Sequence, residues 1–226
     1  MGGLPGRPRG DDAELPVALA DKLLPSDCAL LVIDMQNDFC APGGYVDRVM
    51  GKDVTAAAGI VPALQEMVAT ARAAGVPVVW VCADYSHALA PDSMRVKLKA
   101  RGIQTECCKP GTWGAEAFGV APQPGEPVVF KHTYSGFIGT ELASVLVRLG
   151  RRTLVFGGVQ TQICVESTVR DAHSLGYFCV VPRDAVASHT QALHEGSLTN
   201  IQFLFGDVCA VSDVRAAWSG APAAAA

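Results

Sequence analysis

The stretch Thr153–Val181 reads TLVFGGVQTQICVESTVRDAHSLGYFCVV. Its first residues, Thr153–Phe156, are apolar at successive positions and rich in branched and aromatic side chains, the pattern of a strand covered on both faces. Gly157 and Gly158 then allow a tight turn. Gln162–Leu175 has helical character and stops at Gly176, a residue suited to the left-handed position that ends a helix. A second apolar run, Tyr177–Val181, follows. Strand, helix and strand in this order predict a right-handed crossover, and therefore parallel strands.

The same alternation continues on either side. Further apolar runs of strand length are Cys28–Ile33, Val76–Cys82, Pro127–Phe130 and Val208–Val211, which makes six in all. Helical patterns fall between them at Val54–Ala74, at Thr140–Leu149 before Gly150, and at His189–Leu204. The reading is an α/β chain with a parallel sheet covered by helices on both faces. Residues 86–123 are too long for a plain crossover and contain a polar helix candidate, Asp92–Arg101. A loop of that length is expected to cover a site.

Composition narrows the function. With 226 residues, half of them hydrophobic, the chain can bury the core of one domain. A net charge of −4 offers no basic surface, so no nucleic-acid partner is expected. No apolar run is long enough to span a bilayer. MGGLPGRPRGDDAELP at the start lacks a signal core, which gives a cytoplasmic expectation and argues against disulfides among the eight cysteines. Cys107 and Cys108 are adjacent but lack a second ligand pair at zinc spacing.

Ligands of open parallel sheets bind beyond the carboxyl ends of the strands. The first strand delivers Asp34 there, the second Asp84 and Tyr85, the third Lys131, and the fifth Arg183 and Asp184. The fourth delivers the Gly157-Gly158 turn and then Cys164 in the first turn of a helix. Each residue alone has a plain structural reading: a core thiol, a turn-forming carboxylate, a solvated ammonium. Together on one edge they form an acid–base–nucleophile set. A cysteine at a helix start beside a lysine is expected to have a depressed pKa and to be partly thiolate. The N–H groups there could hold an oxyanion. A dinucleotide site is excluded, because Asp34-Met35-Gln36-Asn37 stands where its glycine-rich turn would be.

Three segments carry a resemblance: ALLVIDMQNDFC (Ala29–Cys40), VVFKHTYSGFIGTEL (Val128–Leu142) and GGVQTQICVESTVRDAHSLGY (Gly157–Tyr177). In these motifs, one per strand end, the chain resembles the isochorismatase-like cysteine hydrolases. The resemblance spans 27–212 and implies a three-layer αβα sandwich, Rossmann-like, around a six-stranded mainly parallel sheet. Residues 1–26 are left as a flexible arm and 213–226 as a tail. It implies Cys164 as nucleophile, Asp34 as acid–base group and Lys131 as their cationic partner. It also implies a cis Val159–Gln160 peptide and an oxyanion hole from the N–H groups of Gln160 and Cys164.

Tyr134–Phe137 (YSGF), Cys164–Asp171 (CVESTVRD) and Phe39–Asp47 (FCAPGGYVD) look most like ureidoacrylate and biuret amidohydrolases. The implied reaction is cleavage of a C–N bond in a small ureido or amide substrate through a thioester. Isochorismatases that cleave vinyl ethers often lack the cysteine, and that reaction is the alternative. Nicotinamidases, a further alternative, carry Asp-x-His after the second strand. Here Asp84-Tyr85-Ser86-His87 is one residue longer, so no metal and no cofactor are expected. Phe39, Tyr85, Trp113, Tyr134 and Phe137 are candidate pocket walls, and Ser135 and Gln202 candidates for a polar substrate end. Glu166, Thr168, Arg170 and Asp171 are read as structural. Similar proteins form dimers or tetramers, so a homo-oligomer is expected.

Overall fold

β1, Cys28–Ile33, is buried along its whole length, and the molecule is organised around it. A computed structural model describes residues 15–220. In chain order the helices are α1 (Leu19–Lys22), α2 (Asn37–Cys40), α3 (Tyr45–Arg48), α4 (Thr55–Gly59), α5 (Val61–Ala73), α6 (Asp92–Lys99), α7 (Leu142–Leu149), α8 (Glu166–Ser174), α9 (Gln191–Asn200) and α10 (Val211–Ser219). The remaining strands are β2 (Val78–Ala83), β3 (Val128–Lys131), β4 (Thr153–Val159), β5 (Phe178–Pro182), β6 (Val186–Ala187) and β7 (Asp207–Cys209). They pair in parallel in the order β3-β2-β1-β4-β5-β7, with β6 against the end of β4.

The sheet has seven strands where six were expected. β4 continues past its apolar run through Gly157-Gly158-Val159, and its end needs a partner that β5 no longer provides. Val186 and Ala187 supply it, opposite Gly158 and Val159. Two residues are too few to register as a strand in the sequence.

Side chains alternate across each strand, so the sheet separates two cores. Leu30, Val32, Trp80, Val155 and Val180 face α5 and α10, meeting Leu64, Met67, Val214 and Trp218. Ala29, Leu31, Ile33, Val81, Leu154 and Phe156 face α7 and α8, meeting Leu142, Leu146, Val169 and Ala172. This is a three-layer αβα sandwich.

Several boundaries differ from expectation. The predicted helix 54–74 is two helices, because Pro62 belongs in a first turn rather than an interior. The helices predicted at 162–175 and 189–204 each include a π-helical turn, Thr161–Val165 before α8 and Ile201–Phe205 after α9. α10 runs past residue 212, the expected domain end, because Val214 and Trp218 bury against the sheet face. At the other end, part of the 1–26 segment packs on the domain. Leu23 is buried, and Lys22 Nζ lies 2.7 Å from Asp207 Oδ2. Residues 1–14 of the arm and 221–226 of the tail lie outside the described residues.

Strand order reverses between β1 and β4, which lie side by side with Ile33 opposite Gly158. Gly158 has φ +115°, and a Cβ there would fall on the Ile33 carbonyl oxygen, so only glycine fits. This close approach brings the ends of β1 and β4 together at the switch point where such sheets bind ligands.

Candidate active site

Asp34 leaves β1 with φ +54°, in the left-handed region that a non-glycine residue rarely adopts. Its N–H donates to the Val81 carbonyl oxygen at 2.8 Å, which holds it against β2. Gln36 then locks the turn, because its side chain accepts from Ala83 N–H at 2.7 Å and donates to the Ala83 and Ala115 carbonyls. The Gln36 clamp was not found by sequence reasoning; a lone amide after a strand looks solvated, and only its burial shows its task.

Lys131 ends β3 and is fully buried, as is Asp34 to within one per cent. Its Nζ lies 2.9 Å from Asp34 Oδ2. It also donates to Tyr85 Oη at 2.6 Å and to the Thr133 carbonyl at 3.2 Å. Two of its protons are thus given to Tyr85 and Thr133, and its charge pairs with the Asp34 carboxylate.

Cys164 lies in the π-helical turn between β4 and α8, next to the cis Val159–Gln160 peptide. Its thiol interacts with Asp34 and Lys131, and Tyr85 Oη stands 3.6 Å from Sγ. Thr168, one turn into α8, donates to the Cys164 carbonyl at 2.6 Å and accepts from Gly136 N–H at 3.0 Å. It thus ties the Cys164 turn to the loop after β3, a structural role. Glu166 likewise pairs with Arg170 and Asn200.

Burial raises the Asp34 pKa against the pull of Lys131. At Lys131 burial works downward, but Asp34 and Cys164 outweigh it and the net shift is upward. The Cys164 thiol is pushed up to about 12, first by burial and then by the Asp34 charge, with Lys131 and Tyr85 opposing. The expectation of a depressed, partly ionised thiol is therefore corrected. A helix start and a lysine are visible in sequence, whereas complete burial beside a carboxylate is not. The thiol therefore rests protonated beside the Asp34–Lys131 pair.

A cavity of about 570 Å³ opens onto these groups. Asp34, Phe39, Tyr85, Tyr134, Gln160 and Cys164 line it, and α6 with Cys107 closes it from the long 86–123 segment. Phe39 meets Tyr85 edge-on at 6.1 Å between ring centroids. Other candidates lie elsewhere. Phe137 stacks on Tyr177, Ser135 accepts from the Phe137 N–H, Gln202 accepts from Val208 N–H at 2.7 Å, and Trp113 lines a separate cleft. Asp84 caps its own turn through Ser86, and His87 N–H donates to Glu106. Asp184 accepts from Val211 N–H at the start of α10.

A family model described as the isochorismatase domain matches residues 28–213. A ureidoacrylate amidohydrolase of Methylorubrum extorquens is 40% identical over 205 residues, covering 84% of this chain and 82% of that protein. The crystal structure of a cysteine hydrolase from Pseudomonas syringae superposes with a TM-score of 0.77 at 27% identity, covering 88% of this chain and 95% of that one. That of N-carbamoylsarcosine amidase from Thermoplasma acidophilum gives 0.67 at 29% identity, covering 82% and 96%.

Proposed function

We propose a cysteine-dependent C–N hydrolysis for this chain, which belongs to the isochorismatase family. The substrate class is a small ureido or amide compound, of the ureidoacrylate, biuret or N-carbamoyl type. The observation that carries the reading is that Asp34 and Cys164 line one cavity, with Lys131 buried behind them 2.9 Å from the Asp34 carboxylate. The names of the similar proteins, two of them acting on ureido or carbamoyl compounds, support the substrate class.

In this mechanism Asp34 removes the Cys164 proton as the sulfur attacks the substrate carbonyl carbon. The carbonyl oxygen becomes an anion facing the N–H groups of Gln160 and Cys164. Asp34 returns the proton to the departing nitrogen, and the C–N bond breaks. The acyl or carbamoyl thioester remains on Cys164. Water, losing a proton to Asp34, attacks it; the C–S bond breaks and the thiol regains the proton. Lys131 holds the carboxylate in place and offsets the negative charge that moves between oxygen and sulfur. Tyr85 stands where its hydroxyl can donate to the sulfur once the proton has left. No cofactor takes part in this scheme. A cytoplasmic homo-oligomer remains the accompanying expectation.

The test is a panel of ureidoacrylate, biuret, N-carbamoyl amino acids, nicotinamide and isochorismate, read by ammonia release and product analysis. Turnover of a ureido member, a mass increase on Cys164 during turnover, and loss of both in Cys164→Ala are expected. Undiminished hydrolysis by Cys164→Ala would sink the mechanism. Isochorismate cleavage surviving that substitution would point to the ether hydrolases instead.

A further inference from the structure

We propose that Asp38, Cys107 and Cys108 form a binding site for a soft divalent cation of the zinc class, separate from the triad. One ligand atom from each residue lies within 4.8 Å of the others. The two sulfurs are 3.8 Å apart. Two thiolates each about 2.3 Å from a tetrahedral zinc ion stand about 3.8 Å apart, so the sulfurs already have the required spacing.

That spacing is not what adjacent residues give by default. Along an extended chain successive side chains point to opposite sides. Cys107 is bridged to Tyr85 as a strand would be, but Cys108 takes φ +52°, and the alternation breaks there. The chain adopts a costly backbone conformation, and the two thiols face each other. The third ligand comes from α2, 70 residues before Cys108, which is why no spacing rule in the sequence finds it. Asp38 Oδ2 accepts from Cys108 N–H at 2.6 Å and Oδ1 from Tyr45 N–H at 3.1 Å. Each carboxylate oxygen keeps a lone pair for an ion. The Trp113–Ala115 turn presses on the same carboxylate, because a Cβ on Gly114 would fall on it.

The site sits between two openings. Cys107 lines the main cavity and Asp38 a smaller cleft of about 350 Å³, so the site borders solvent-accessible space on both sides. Cysteine binds such an ion as thiolate, so binding displaces S–H protons with no change of oxidation state. The bound ion would clamp the 105–115 loop onto α2. It would also steady Tyr85, whose N–H donates to the Cys107 carbonyl at 3.0 Å. It is a structural clamp, not a participant in the hydrolysis.

Cd²⁺ is a suitable probe, used on the full chain carrying Cys164→Ser so that the catalytic thiol cannot compete. One Cd²⁺ per chain is expected, with a sulfur-to-metal charge-transfer band and release of about two protons. Cys107→Ser with Cys108→Ser should abolish all three, with the far-UV circular dichroism of the metal-free protein confirming the fold. If the double variant does not fold, thiol mapping replaces it: over the hours that such buried thiols need to react, Cd²⁺ should slow maleimide labelling of Cys107 and Cys108, relative to the metal-free chain with both cysteines present, and of no other cysteine. Zn²⁺ should raise the melting temperature of that chain. No stoichiometric binding at micromolar cation, binding that survives in a folded double variant, or protection that maps to other cysteines would each overturn the site.

Discussion

Replacing Lys131 by Met removes the ammonium between Asp34 and Tyr85. That charge lowers the pKa of both Asp34 and Cys164, so without it both rise. The proposed mechanism needs the Asp34 carboxylate, whose pKa burial holds above its ordinary value. The acid limb of kcat/KM should therefore lie above the usual aspartate range of about 4. In Lys131→Met it should move to still higher pH, and iodoacetamide should label Cys164 more slowly. A limb that stays in place or moves down would contradict the arrangement. Tyr85→Phe keeps the ring against Phe39 but removes the hydroxyl 3.6 Å from the sulfur. A hydrogen bond to a charged group contributes about 1.5–3 kcal/mol, so kcat should fall roughly tenfold to a hundredfold with little change in KM. At this scale the sequence was informative about Asp34, Lys131 and Cys164, because each follows an apolar run. It put Tyr85 on the same edge as a pocket wall, but it did not reveal that the Tyr85 hydroxyl meets Lys131 and the Cys164 sulfur, or that the thiol rests protonated, since both depend on what packs around the site. Ser135, Phe137 and Gln202 missed the cavity for the same reason: proximity in a motif does not say which way a side chain faces.

The elements show where pattern reading succeeds and where it stops. Long runs such as Cys28–Ile33 and the Gly150 stop after α7, which takes φ +65°, lie where periodicity and capping put them. β6 escaped notice because two residues have no period. α10 escaped because its apolar positions, Val211, Val214 and Trp218, are few and set among alanines. Trp218 is nevertheless buried, with one per cent exposure, in the core shared with α5. Trp218→Ala should cost about 3–5 kcal/mol, read as a lower denaturant midpoint. A cost below about 1 kcal/mol would mean that the helix is an appendage and the domain does end near residue 212.

For the molecule as a whole, the sheet order places three strands on one side of the β1–β4 junction and the remaining four beyond it. The ends of β1, β2, β3 and β4 thereby bring Asp34, Tyr85, Lys131 and Cys164 together, although these residues are distant in sequence. The eight cysteines also have a collective property. Burial raises the pKa of every one of them, those of Cys28, Cys40, Cys82, Cys164, Cys179 and Cys209 to about 12. Thiol exchange and peroxide attack require the anion. A folded chain at neutral pH therefore offers oxidants almost no foothold, although it is rich in sulfur. Ellman's reagent should titrate the native protein slowly and all eight thiols rapidly in denaturant, and the protein should store in air without cross-linking. A fast native phase of several equivalents would mean that this sulfur is not shielded. Under the proposed mechanism, shielding of this kind would hold Cys164 in reserve, slow toward stray electrophiles until a substrate fills the cavity and Asp34 takes the proton.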